Sequence, residues 1–268
     1  MAVITFLSDY GTNDDFVGVC HGVMARIAPD ARVIDITHGL PRHDVRTGAL
    51  VMRRTLPFMP PGVHLAVVDP EVGASRRAVA IRCVDEDRLL IGPDNGLLSL
   101  AAQRFGGIAE AVDLERSELR LEPVAATFHG RDVFSPVAAH LANGVDLSAA
   151  GSPLDPRDVT QLTMPLARME GDTLIAHALV VDRFGNVALD IEHEELAMTG
   201  LRLGHQVLVE VSGIERHAVY ASTFADVGEG ALLLYEDAYR TFALAVNRGS
   251  AAELLGPEPD AEVRVRPA

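Results

Sequence analysis

The sequence predicts an α/β protein with an N-terminal doubly wound, mostly parallel sheet domain over residues 1-150 and a C-terminal antiparallel β-barrel domain over residues 166-268. Three observations carry that prediction. In the first half, apolar runs of strand length alternate with segments whose apolar residues recur at helical spacing, the rhythm of βαβ units. At Gly151-Ser152-Pro153-Leu154-Asp155-Pro156 the chain becomes proline-rich, which places a linker at 151-165. Beyond it come short alternating runs separated by Gly, Asn and Asp turns, the pattern of a small barrel.

Residues 2-7 form the first strand, and the polar turn Asp9 to Asp15 supplies Asp14 or Asp15 as the N-cap of a helix. That helix carries Phe16, Val17, Val19, Cys20, Val23, Met24 and Ile27 on its apolar face and ends before Pro29. Arg32 to Ile36 is the next strand and Asp44 to Leu56 the next helix. His64-Leu65-Ala66-Val67-Val68 is a buried strand; Pro70 has no N–H for a further rung, so Asp69 stands at the strand's carboxyl end. Open α/β sheets hold their ligands at such ends. The Gly73-Ala74-Ser75 turn reverses the chain before the strand Ala78-Val79-Ala80-Ile81 and brings Arg76 within reach of Asp69 for a charge-assisted pair. After Leu89-Leu90-Ile91, the turn through Pro93-Asp94-Asn95-Gly96 opens a helix from Leu97 to Phe105, and Asp132 to Asn143 is a further helix. The barrel runs are Leu174 to Val181, Val187 to Ile191, Gln206 to Val211, Ala218 to Ser222, Ala231 to Tyr235, Phe242 to Val246 and Glu262 to Val265.

Composition narrows the function. A 48% hydrophobic chain with 23% charged residues belongs with ordinary soluble globules, and no apolar run approaches the ~20 residues that span a bilayer, so no membrane partner is expected. The first apolar segment lacks a basic flank, which reads as a strand rather than a signal peptide and predicts a cytoplasmic protein. A net charge of -15 argues against a nucleic-acid partner. Cys20 and Cys83, the two cysteines, both sit in apolar segments and read as reduced core thiols. No zinc, P-loop or Gly-x-Gly-x-x-Gly spacing is present, so neither a metal nor a cofactor is expected.

The polar turns then compete for a role. Asp9 and Asp69 both end strands and can face one cleft, although each is also an ordinary turn residue. His129, just outside a helix N-terminus, is kept neutral by the positive end of the helix dipole, whether as a proton acceptor or as a packed loop residue. Asp182-Arg183-Phe184-Gly185-Asn186 is a tight turn in the second domain.

Six motifs, in one order along nearly the whole chain, resemble the S-adenosylmethionine (SAM) hydroxide adenosyltransferase family, the SAM hydrolases related to fluorinase and chlorinase enzymes. They are Thr5-Phe6-Leu7-Ser8-Asp9-Tyr10-Gly11, Asp35-Ile36-Thr37-His38, Val67-Val68-Asp69-Pro70-Glu71-Val72-Gly73, Pro93-Asp94-Asn95-Gly96, Thr127-Phe128-His129-Gly130-Arg131-Asp132 and Asp182-Arg183-Phe184-Gly185-Asn186. The resemblance implies hydrolysis of SAM, as substrate and not cofactor, to adenosine and methionine. It also implies a homotrimer with sites shared between one subunit's N-terminal domain and a neighbour's barrel. The family's Asp-Arg-His set falls on Asp69, Arg76 and His129; the halogenating relatives have tyrosines at the Asp and His positions. By the same resemblance Asp9 binds the ribose hydroxyls, Asp182 and Asn186 hold the methionine amino-carboxylate, and Glu236-Asp237-Ala238-Tyr239, with Tyr239 as a substrate contact, closes over the ligand. Two positions depart from the pattern: Glu71 stands where the family usually has glycine, and Ala238 replaces a frequent serine.

The chemistry suits these residues. SAM already has a good leaving group, so the difficulty is water, which must be held in line behind C5′ and deprotonated during attack. Either Asp69 or His129 can take that proton. A halide-using 5′-halo-5′-deoxyadenosine synthase and a SAM- or adenosine-binding protein without turnover are the competing readings; Asp69 and His129 speak against the first, and Glu71 is the feature that favours the second.

Overall fold

The computed structural model describes residues 2–268. The chain divides into two compact units, one ending at Leu162 and one spanning Thr163–Ala268. The first runs β1 (Val3–Ser8), α1 (Phe16–Ile27), β2 (Arg32–Thr37), α2 (Val45–Thr55), β3 (Val63–Val67), β4 (Ala78–Cys83), β5 (Leu89–Pro93), α3 (Ser99–Arg104), β6 (Ile108–Asp113), α4 (Ser135–Ala142), α5 (Leu147–Ala150) and β7 (Ser152–Leu154). Its sheet has the order β2-β1-β3-β5-β4-β6-β7, so the stretch expected as a linker contributes an edge strand.

Strand alternation explains why helices cover both faces. Ile4 and Phe6 of β1 and Val63, Leu65 and Val67 of β3 pack with Cys20 and Met24 of α1 and Val137 of α4. Leu7 and the intervening Ala66 and Val68 face the other way, onto Val51 and Met52 of α2 and Ala101 of α3. A near-continuous apolar run is what a strand buried on both faces requires. The helix starts differ in detail: Asp44 caps α2 by accepting from Thr47 N at 2.9 Å, whereas Asp15 occupies the N-cap position of α1 without a side-chain cap bond.

Topology places the ligand end. β1 pairs in parallel with both β2 and β3. The chain leaves β1 for β2 on one side and returns to β3 on the other, so the strand order reverses between the carboxyl ends of β1 and β3. Crevices for ligands open at such switch points. Beyond β5 the sheet continues through antiparallel β4, β6 and β7.

The second unit holds β8 (Arg168–Glu170), β9 (Thr173–Val181), β10 (Val187–Leu189), α6 (His193–Met198), β11 (Gln206–Val211), β12 (Ile214–Tyr220), β13 (Leu232–Glu236), β14 (Phe242–Val246), α7 (Ala251–Leu255) and β15 (Glu262–Pro267). Seven of its strands close a barrel, β10-β14-β13-β12-β11-β15-β9 with β9 returning to β10, and β8 flanks β9. The interior is filled by Leu174, Val207, Val209, Leu234, Phe242, Leu244 and Val263 among others. One pair departs from the expected antiparallel pattern: β12 and β13 run parallel. The connection over 221–231 is long enough to return the chain to the end from which it started, which a hairpin is not.

Candidate active site

A cavity of about 460 Å³ opens at the switch point, lined by Asp9, Tyr10, Asp14, His38, Arg42, His43, Asp69, Thr127 and His129 among others. Asp9 and Asp69 both line it because their strands end side by side, with Asp9 N reaching Val67 O at 3.4 Å. Asp9 is also held from the far side, since its Oδ2 accepts the backbone N–H of His43 at 2.8 Å. His43 adopts a left-handed φ of 66°, a conformation that non-glycine residues hold mainly where surroundings impose it.

Asp69, Arg76 and His129 meet in the cavity wall. The Arg76 guanidinium donates through Nε to both Asp69 oxygens, at 2.9 and 3.1 Å, and through Nη2 to Oδ2. The same Nη2 lies 2.8 Å from His129 Nδ1. Arginine has no acceptor, so His129 Nδ1 must accept, and the neutral ring carries its proton on Nε2. Burial and then the Arg76 charge push the His129 pKa below the usual imidazole range, with Asp69 pulling the other way. The ion pair is itself shielded, the side chains of Arg76 and Asp69 being 4% and 5% exposed. Behind it lies a second cavity of about 380 Å³, lined by Arg76, Arg77, Arg120 and Ala126 and sharing His129 with the first.

Neighbouring residues explain why the chain folds this way here. Gly73 has φ +78°, and a Cβ there would meet Ala126 O at 2.4 Å, so the turn after Asp69 packs directly against the segment that leads into His129. Asn95 donates to Val68 O at 2.9 Å and fixes the end of the strand before Asp69. Asp94 accepts from Arg77 Nε at 2.8 Å, next to Arg76. His129 stands at the N-cap of a π-helical turn, Gly130–Phe134, that runs into α4, and π turns recur at functional sites. Gly130 has no room for a side chain, because the Tyr10 hydroxyl would lie 2.0 Å from its Cβ. Burial first, then nearby Cys20 and the carboxylates of Asp69 and Asp9, raise the Tyr10 pKa well above its usual value, which keeps that hydroxyl protonated.

Asp182, Asn186 and Tyr239 belong to the second unit. Asp182 Oδ1 accepts from Phe184 N at 2.8 Å and Asn186 N at 3.0 Å, and its Oδ2 accepts from Asn186 Nδ2 at 2.8 Å. Both motif residues therefore build their own turn. Tyr239 is exposed in the turn after β13. Burial, then the carboxylates of Asp182 and Asp237, pushes the Tyr235 hydroxyl to about 12, so both turns present acidic groups to one tyrosine. Glu71 is exposed and lines neither cavity. Tyr10, His38, His43 and Thr127 also line the site; Tyr10, His38 and Thr127 belong to three of the six motifs, where no role pointed to them, while His43 lies outside the motifs and is marked only by its left-handed backbone, which sequence does not display.

Residues 4–151 match the model of the SAM hydroxide adenosyltransferase N-terminal domain, and residues 176–264 match that of the C-terminal domain. A protein of Salinispora tropica named (R)-S-adenosyl-L-methionine hydrolase is 48% identical over 98% of this chain and 97% of its own length. A Thermus thermophilus protein of the same name is 38% identical over 99% and 100%. A fluorinase of Actinopolyspora mzabensis is 28% identical over 98% and 96%. Among solved structures, a conserved protein from Thermotoga maritima superposes with a TM-score of 0.93 at 36% identity, covering 98% of this chain and 99% of that one.

Proposed function

We propose that this chain, which belongs to the SAM hydroxide adenosyltransferase family, hydrolyses SAM to adenosine and methionine by using Asp69 as the base for an attacking water, with Arg76 and His129 positioning it. The observation that carries the role assignment is the 2.8 Å contact between Arg76 Nη2 and His129 Nδ1. With Nδ1 engaged, neutral His129 has no lone pair left for a proton and can only donate from Nε2. Asp69 keeps acceptor capacity beyond its bonds from Arg76, because each carboxylate oxygen has two lone pairs.

Water can then be held from both sides. Asp69 accepts one of its protons, the His129 N–H donates to one oxygen lone pair, and the other lone pair is left in line with C5′. As the C5′–O bond forms, the C5′–S bond breaks, methionine leaves as a neutral thioether and the water proton passes to Asp69. Arg76 holds the carboxylate oriented until that transfer. Asp9 holds the ribose hydroxyls. Asp182, Asn186 and Tyr239 hold the methionine end from the barrel of a neighbouring subunit in a homotrimer, and the enzyme works in the cytoplasm without a cofactor. Family resemblance supports these last assignments, and dilution tests the trimer: turnover per chain should fall below the trimer's dissociation range, whereas a fully active monomer by light scattering would remove it.

The decisive variants separate donor from base. His129→Gln retains an N–H donor and should turn over SAM at least about ten times faster than His129→Ala, both with near-parental SAM binding. Equal losses in the two, with Asp69→Asn active, would make His129 the base.

A further inference from the structure

His21, Asp35 and His38 come from α1, from β2 and from the turn after β2, and their ligand atoms lie within 4.8 Å of one another. His21 Nε2 is 2.8 Å from Asp35 Oδ1, and His38 Nε2 is 3.1 Å from the same oxygen. We propose that His21 Nε2, Asp35 Oδ1 and His38 Nε2 form a binding site for a first-row divalent metal ion, zinc being the best matched.

A second observation points to a ligand there. The His38 side chain is 5% exposed, yet its Nε2 makes no hydrogen bond: the ring nitrogen is near Asp35 Oδ1 but not aligned with it. Buried polar atoms are rarely left in that state. The other nitrogen is occupied, with His38 Nδ1 2.7 Å from Ser8 Oγ. Donation of Nδ1–H to Ser8 leaves the Nε2 lone pair facing the cluster, the tautomer and outer hydrogen bond that metal-bound histidines show. Both imidazoles lean on the buried Phe6 ring, at centroid distances of 4.7 Å for His38 and 6.1 Å for His21, which fixes their direction.

The dimensions fit. A tetrahedral ion about 2.1 Å from each donor sets the donors roughly 3.4 Å apart; the two edges at Asp35 Oδ1, 2.8 and 3.1 Å, need to open by about 0.6 and 0.3 Å, and the two histidine nitrogens lie within 4.8 Å of each other. Two imidazoles and one carboxylate suit zinc and its neighbours better than calcium or magnesium. The side chains of His21 and Asp35 are 35% and 41% exposed, which gives the ion an entry path and leaves its remaining positions to water. Motif spacing gives no sign of this site, because His21 on α1 meets Asp35 and His38 only when the chain folds. His38 also lines the SAM cavity, so the ion would brace one wall of it from outside.

The test uses the untagged full chain, stripped with chelator and titrated with Co2+ and then Zn2+. One equivalent of Co2+ should bind with visible d–d absorption and be displaced by Zn2+. His21→Ala and Asp35→Asn should each weaken Zn2+ binding at least about 100-fold, more than the loss of an outer hydrogen bond typically costs. His217→Ala, at an exposed barrel position, should bind as the parent does. Zn2+ should raise the melting temperature of the parent and not of His21→Ala, while His21→Ala hydrolyses SAM at the parental rate in chelator. Absence of saturable Co2+ or Zn2+ uptake, or equal uptake by the parent and His21→Ala, would overturn the site.

Discussion

Two histidines of the first unit face an arginine in the same way. Arg76 Nη2 meets His129 Nδ1 at 2.8 Å, and Arg88 Nη1 meets His64 Nε2 at 3.1 Å. Each arginine also has a carboxylate, Asp69 for Arg76 and Glu86 for Arg88. In each, the imidazole pKa is pushed down first by burial and then by the arginine, for His64 to about 3. The surroundings differ. His64 is fully buried, its second nitrogen lies 2.9 Å from Thr5 Oγ1, and Arg88 spends its remaining donors on Met59 O and Pro60 O. His129 and Asp69 instead face a cavity. A perturbed histidine beside an arginine is therefore no mark of catalysis on its own. What makes a site is polar valence left over at a place a ligand can reach.

Substitutions can break the comparison at several points. The largest expected effect is on turnover in Asp69→Asn: kcat should fall by about 10²–10⁴-fold, the usual worth of a positioned base, with SAM binding largely kept. Glu86→Gln, the matching change at Arg88, should leave kcat within about twofold, because Glu86 is exposed and pairs with Arg88, and neither lines the two cavities. Steady-state kinetics with a separate binding titration checks both.

A smaller effect, with the opposite signature, is expected for His64→Gln. It should cost roughly 1–3 kcal/mol in denaturant unfolding, through disturbed buried hydrogen bonds, and leave SAM turnover unchanged. A turnover defect without a stability defect would place His64 in the catalytic network.

The pH responses sharpen the contrast further. The folded-state pKa of His64, about 3, lies below the unfolded value of roughly 6.5. The unfolded chain therefore binds the extra proton between those limits. Stability from this residue is present in full above pH 6.5 and is lost progressively as pH falls toward 3. His64→Gln should flatten that part of the acid stability curve. His129 follows the same sign, so turnover should stay level as pH falls through roughly 6.5 and drop only below it, where imidazolium would face Arg76. A midpoint at or above an ordinary histidine value would contradict the pairing.

Much of this was legible from local covalent rules. Pro70 ends its strand and Gly73 turns the chain, and together they predict the Asp69–Arg76 pair seven residues apart. The seven barrel strands were legible because alternation and turn residues act over short distances. What sequence did not display depends on distant partners: the β6 and β7 extension of the sheet, the parallel β12–β13 pair, the His21–Asp35–His38 cluster and the His129 tautomer, which only the position of Arg76 reveals.

The central claim is that water attacks C5′ directly, and isotope transfer tests it most closely. Turnover in ¹⁸O-enriched water should give adenosine labelled at its 5′-hydroxyl together with unlabelled methionine, and added chloride or fluoride should be neither required nor incorporated. An ionised Asp69 beside the line of attack repels halide while accepting a hydrogen bond from water. A 5′-halo-5′-deoxyadenosine product, or adenosine without the label, in mass spectrometry of the nucleoside would contradict the account.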